Sequence, residues 1–306
     1  MSDPLPALPA DQIRRYATGA LLAAGVNGST VLPIPLADIA AAAGLRRESL
    51  FDSIEEQDVP PAFQGILQKI QGKVLGALAI PERRVLIDDG QAAPRARFTE
   101  AHEIGHDALT WHRDAYYGDN HFTLERSSEA GLEAEANLFA ADILFGIDRF
   151  TEQADSYRPS LQVPLGLNGD YLVSAQAAVR RYAERSKYAV ALLVVGRYLS
   201  AGSPSSLAIL QAHQSAEFVK RYGAVRQCLR GRRLSSSTYP ELQQLAVEHP
   251  AHVAESTVTL DTSRGKVHFR AEGFSNGRVG MVLLTRKQPT LGRPLQLVDA
   301  HGRPIR

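Results

Sequence analysis

Two hydrophobic rhythms alternate along the chain. From Asp11 to Val26, residues Ile13, Ala17, Leu21 and Ala24 fall on one side of a 3.6-residue repeat, which predicts an amphipathic helix. Leu36 to Gly44 predicts a short Ala-rich helix closed by Gly44, and Phe63 to Gln71 a third helix. The rhythm then changes. Val74 to Ile80 and Arg84 to Asp88 are strand-like runs with Pro81-Glu82-Arg83 between them, which predicts a hairpin. Ala96 to Trp111 and Glu129 to Leu144 return to helix, on either side of a polar, aromatic stretch read as a loop with a short strand.

Pro164 to Gly169 reads as a turn-rich linker. Leu172 to Arg185 predicts a helix with Ser174 as its N-cap, and Ala189 to Tyr198 fits either helix or strand. Gly202 to Ser206 marks a boundary. Beyond it come helices at Ala216–Tyr222 and Tyr239–Glu248. Short strands follow at Val258–Leu260, Lys266–Ala271, Val279–Thr285 and Leu295–Val298. The expected fold is multidomain α+β, divided at residues 1–159, 160–203 and 204–306.

Composition narrows the classes. With 44% hydrophobic and 22% charged residues the chain is globular. Its longest apolar run, Tyr188 to Val195, falls far short of the roughly 18–20 residues that span a membrane. The start, MSDPLPALPADQ, lacks the basic and apolar regions of a secretory signal, and a cytoplasmic home is expected. The one cysteine, Cys228, rules out an intrachain disulfide and a multi-thiolate zinc site, and is read as a structural thiol. Net charge is +1, but residues 1–160 carry 14 Lys and Arg against 24 Asp and Glu, a balance of −10. Residues 161–306 carry 20 against 9, a balance of +11. Such a split suggests halves with different work.

The chemistry concentrates in Arg97-Phe-Thr-Glu-Ala-His-Glu-Ile-Gly-His106. His102 and His106 stand four apart and so share a helix face, where both can reach one metal ion, and Glu103 lies beside that face. With 9 histidines in 306 residues, chance gives about 0.01–0.02 such matches. Phe98, Ala101, Ile104 and Gly105 supply an apolar side. A third ligand is expected. His112 has a suitable spacing, but the sharp turn that scheme needs would fall on Leu109, where a left-handed backbone is costly. The other source is the helix containing Glu129, Glu133 and Asn137 at four-residue steps. Glu133 fits the ligand role and Asn137 that of orienting a ligand histidine. Glu129 and Glu135 read as a solvated face. Tyr116, Tyr117 and His121 are candidates for stabilising an oxyanion.

The stretch Arg97–His106, followed about thirty residues on by Glu133-Ala-Glu-Ala-Asn-Leu-Phe-Ala-Ala141, resembles the small bacterial and phage zinc peptidases that cleave helix-turn-helix repressors. Within that family the overall layout is similar to the radiation-response regulators of deinococci. The resemblance implies a thermolysin-like zinc peptidase domain, a helix-turn-helix-like middle segment and a GAF-like C-terminal sensor domain. It assigns the zinc ligands to His102, His106 and Glu133 and the general base to Glu103. It implies a repressor as substrate and a radiation or DNA-damage response as setting. Histidine and carboxylate donors also accept manganese or iron.

Arg180 and Arg181, on the predicted helix after Ser174, could face DNA or stand at a solvated basic end. Arg226, Arg230, Arg232 and Arg233 lack interleaved aromatics, so a nucleic-acid platform is not indicated, and the cluster reads as facing an acidic partner, the N-terminal half included, or as a solvated charged face. Residues 204–306 name no small-molecule or redox signal. The rival expectation is a DNA-binding or signal-sensing regulator whose metal site does not catalyse.

Overall fold

The computed structural model describes residues 8–50, 75–79, 82–113, 126–196, 206–229, 233–235, 237–247 and 252–286. In the N-terminal half, α1 (Ala10–Ala23) and α2 (Leu36–Ala42) precede β1 (Arg46–Ser49), and β2 (Gly76–Ala79) and β3 (Arg84–Ile87) follow. The strands form a sheet in the order β1-β3-β2, with β2 antiparallel and β1 parallel to β3. The hairpin is as expected; β1 carries no apolar alternation and went unforeseen. The turn holds Arg83 at a left-handed φ of 56°. That backbone costs roughly 1–2 kcal/mol, and the Arg83 guanidinium, paired with Asp107 and the Ala43 carbonyl, holds it in place.

Two long helices carry the site. The first, α3 (Ala93–Ala108), packs on β2 and β3, and the second, α4 (Arg126–Leu144), packs on α3 and α1. Gly105 sets their spacing: a Cβ there would lie 3.0 Å from Phe139 Cδ1 and 3.4 Å from the Ala136 carbonyl oxygen. Ala101 and Ile104 are buried as expected, but Phe98 is 38% exposed.

Three further helices lead to the second half: α5 (Arg149–Asp155), α6 (Gln162–Leu167) and α7 (Ala175–Arg185). The stretch expected as a linker is therefore partly helical; Pro164 sits in the first turn of α6, where a missing N–H costs nothing. Ser174 caps α7 as expected, accepting from the Ala177 amide at 3.2 Å. Arg181 is buried: it pairs with Asp142 at 2.6 Å, donates to the Ile147 carbonyl and lies over the Phe145 ring. Arg180 pairs with Glu184. Arg181 is thus committed to the interior rather than offered to DNA.

The second half is built on six antiparallel strands in the order β6-β5-β4-β9-β8-β7. They are β4 (Val190–Gly196), β5 (Ser206–Gln214), β6 (Arg233–Ser235), β7 (Ala254–Thr262), β8 (Gly265–Ser275) and β9 (Val279–Arg286). The run of unsettled type is β4, buried along its whole length. Val190, Leu192 and Val194 join the core of the N-terminal helices, while Ala191, Leu193 and Val195 join a second core. That second core is closed by α8 (Ala216–Tyr222) and α9 (Pro240–Val247). The predicted helix at 63–71 and the predicted strand at 295–298 lie outside the described residues.

Candidate metal centre

The site forms where α3 and α4 come closest. Spacing along α3 puts His102 and His106 one turn apart, with ring centroids 4.7 Å from each other. Their Nε2 atoms are 3.0 Å apart. From α4, Glu133 brings its carboxylate oxygens to 3.2 Å from His102 Nε2 and 3.3 Å from His106 Nε2. These three residues can hold a metal ion: one donor atom from each lies within 4.8 Å of the others. Tetrahedral zinc with bonds of about 2.0–2.1 Å needs donors about 3.3 Å apart. The observed separations match that edge, so the donor set fits in chemistry and size.

The supporting contacts differ between the two histidines. His102 Nδ1 lies 3.0 Å from Asn137 Oδ1, one turn along α4 from Glu133. His106 Nδ1 lies 2.9 Å from His112 Nδ1, and His112 Nε2 lies 2.8 Å from Glu135 Oε2. Glu135 also accepts from Trp111 Nε1 at 2.7 Å and from the Leu8 amide at 2.8 Å. It is fully buried, at 0% exposure, which corrects the expectation of a solvated face. Its two oxygens have three donors inside the fold, and only packing against the N-terminal segment supplies one of them. Glu129 is exposed, as expected.

His112 stays outside the three-residue cluster. Leu109 ends α3 with φ −85° and is fully buried, and the chain turns there without a left-handed residue. Glu103 lies against β2, where a Cβ at Gly76 would sit 3.3 Å from its Oε1. Tyr116, Tyr117 and His121 lie outside the described residues.

Electrostatics follow burial and pairing. Burial raises the Glu103 pKa, with His102 and His106 pulling the other way. Burial opposes the charged form of His102, but the Glu133 hydrogen bond and the Glu103 and Glu133 charges outweigh it and raise its pKa. Hydrogen bonds from His102 and His106 hold the Glu133 carboxyl well below the usual range. Burial lowers the His112 pKa, against the pull of Glu135.

Among the described residues no helix is long and apolar enough to cross a membrane. No curated protein matches the chain. The fold is shared with the solved structure of a Mycobacterium tuberculosis transcriptional regulator. The two are 10% identical with a TM-score of 0.53, over 91% of this chain and 81% of that one. Residues 68–182, which include every residue of the cluster, match the IrrE N-terminal-like domain of the M78 peptidases, and so support a peptidase.

Proposed function

We propose that this protein is a zinc-dependent endopeptidase that activates a stress response, to radiation or DNA damage, by cutting a helix-turn-helix transcriptional repressor at one site. The observation that carries this reading is the His102, His106 and Glu133 cluster, inside the stretch that matches the M78 peptidases. The resemblance to deinococcal radiation-response regulators and the name of the mycobacterial neighbour support its regulatory part.

In this reading His102, His106 and Glu133 hold the ion. Zinc bound there supplies a Lewis acid that polarises the scissile carbonyl and makes water more acidic. Glu103 takes a proton from the attacking water as the C–O bond forms, and delivers it to the amide nitrogen as the C–N bond breaks. Burial against β2 holds its carboxylate beside the site, where it can reach that water. Asn137 fixes the ring of His102. Strand β2 is the edge of its sheet among the described residues and runs beside Glu103, so an extended substrate can pair with it. The Ala77 and Ala79 amides pair with β3, so proline at either breaks that ladder, whereas proline at Leu78 removes a backbone donor from the edge itself. The exposed Phe98 ring, 6.3 Å from His102, offers a contact for an apolar substrate side chain. The division of labour follows residues 1–159, 160–203 and 204–306. The middle segment is helix-turn-helix-like, and the last a GAF-like sensor for a small-molecule or redox signal. The setting is cytoplasmic.

The test is incubation of the zinc-loaded protein with a repressor encoded beside it, followed by mass spectrometry of the products. Glu103→Gln keeps zinc and lowers the cleavage rate by about 10²–10⁴-fold. A zinc-loaded protein that leaves the repressor whole, or a variant that cuts as fast, defeats the reading. The regulator with a non-catalytic metal site then takes its place.

A further inference from the structure

The two ligand histidines are held in unlike ways, and one of the two arrangements uses residues with no assigned role. His106 Nε2 points into the cluster, 3.3 Å from Glu133 Oε1, and must offer a lone pair there when an ion is bound. The ring hydrogen then sits on Nδ1 and is donated to His112 Nδ1 at 2.9 Å. His112 can accept only if its own hydrogen sits on Nε2, which donates to Glu135 Oε2 at 2.8 Å. Glu135 stays an acceptor on both oxygens, taking Trp111 Nε1 and the Leu8 amide besides. Taken from the Glu135 end, the assignment needs no ion: the carboxylate accepts Nε2–H of His112, and the Nδ1 lone pair of His112 then accepts Nδ1–H of His106. His112 and Glu135 are both at 0% exposure, so water cannot substitute for either.

We propose that His112 and Glu135 form a positioning pair that fixes the ring plane and the Nδ1–H tautomer of His106 before any metal arrives. His112 acts as a relay where a carboxylate or carbonyl usually contacts a ligand histidine directly. The pair reaches beyond the metal helix: His112 follows its end, Glu135 lies on α4, and Leu8 precedes α1. His102, held by the exposed Asn137, has no such anchoring. The inference rests on the metallopeptidase reading for the ion, not for the tautomer.

The experiment uses the full-length protein. Histidine ¹⁵N chemical shifts are recorded in the metal-free state, and zinc affinity by competition with a chelator. In the unaltered protein His106 is held as the Nδ1–H tautomer. In His112→Phe, which keeps a ring but removes both nitrogens, His106 becomes a mixture of tautomers. Zinc then binds about 10–100-fold more weakly while circular dichroism stays native. Should that variant fail to fold, Glu135→Gln serves: His112 loses its charged anchor, and the Nδ1–H population at His106 falls. A His106 ring with no hydrogen on Nδ1 in the unaltered protein, or one unchanged in the folded variants, overturns the proposal. Failure of the unaltered protein to bind zinc strikes the metallopeptidase reading and leaves the tautomer result standing.

Discussion

The metal helix and the six-stranded sheet both use glycine to let a helix come close, and they spend the closeness differently. At Gly105, α4 approaches α3 and the gain is polar: Glu133 meets His102 and His106 across the contact. At Gly273 and Gly280, α9 lies on β8 and β9, with the Leu245 and Ala246 carbonyl oxygens 2.5 and 2.7 Å from where a Cβ would stand. There the gain is apolar, closing a core that includes Leu242, Phe269 and Val282. Burial of a large aliphatic side chain contributes about 1.5–3 kcal/mol, so the sheet half stabilises itself through many interchangeable contacts. The site half depends on a few polar groups, each of which must keep its partner.

Four changes separate these two economies, from the largest effect to the smallest. Asp142→Ala strips the buried Arg181 of its carboxylate and should cost about 3–5 kcal/mol in chemical denaturation. A loss below 1 kcal/mol would show that the pair is not anchoring α4 to α7. Gly273→Ala drives a methyl into the Leu245 backbone, which has no rotamer to yield, and should cost about 3 kcal/mol. Zinc affinity of the folded variant should stay unchanged, since the strain falls on the α9 side of the sheet, away from the N-terminal helices; a weakened affinity would mean that the sheet passes it on to the site. Gly105→Ala meets the Phe139 ring instead, which can give a few tenths of an ångström. Its net stability change should stay within about 1 kcal/mol, because alanine also favours helix. Zinc affinity should nonetheless drop, and an unchanged affinity would refute the idea that this spacing sets the site. Last, Cys228 is buried and its thiol pKa is pushed up, so alkylation at pH 8 should run far slower in native than in unfolded protein. Equal rates would make the thiol available to a redox signal.

The spacing within each helix was legible because it is local. Four-residue steps pair His102 with His106 on α3 and Glu133 with Asn137 on α4, while the meeting of the two pairs is set by the approach of the helices at Gly105. Glu135 was illegible for the opposite reason. Its burial is decided by Trp111 and Leu8, 24 and 127 positions away in sequence. The same division holds for the fold. Ser174 announces α7 because a cap is a one-residue signal. Strand β1, Arg-Arg-Glu-Ser, is recruited through its backbone ladder to β3 and leaves no mark in its side chains. Strand β5 mixes Ala, Gln and His with its apolar positions, which hides the alternation of Leu207 and Ile209 toward the core.

Strand β4 faces a core on each side, and this makes it a party wall. Met281 and Leu283 on its neighbour β9 lean toward the helices as Val190 and Leu192 do, and buried Glu272 of β8 accepts from Ser160 Oγ and the Leu161 amide. A rearrangement of the C-terminal layer would therefore be felt as a shift of the floor under α7 and, through Arg181 and Asp142, at the far end of the helix that carries Glu133. Neither half can be exchanged for a foreign module without rebuilding that wall.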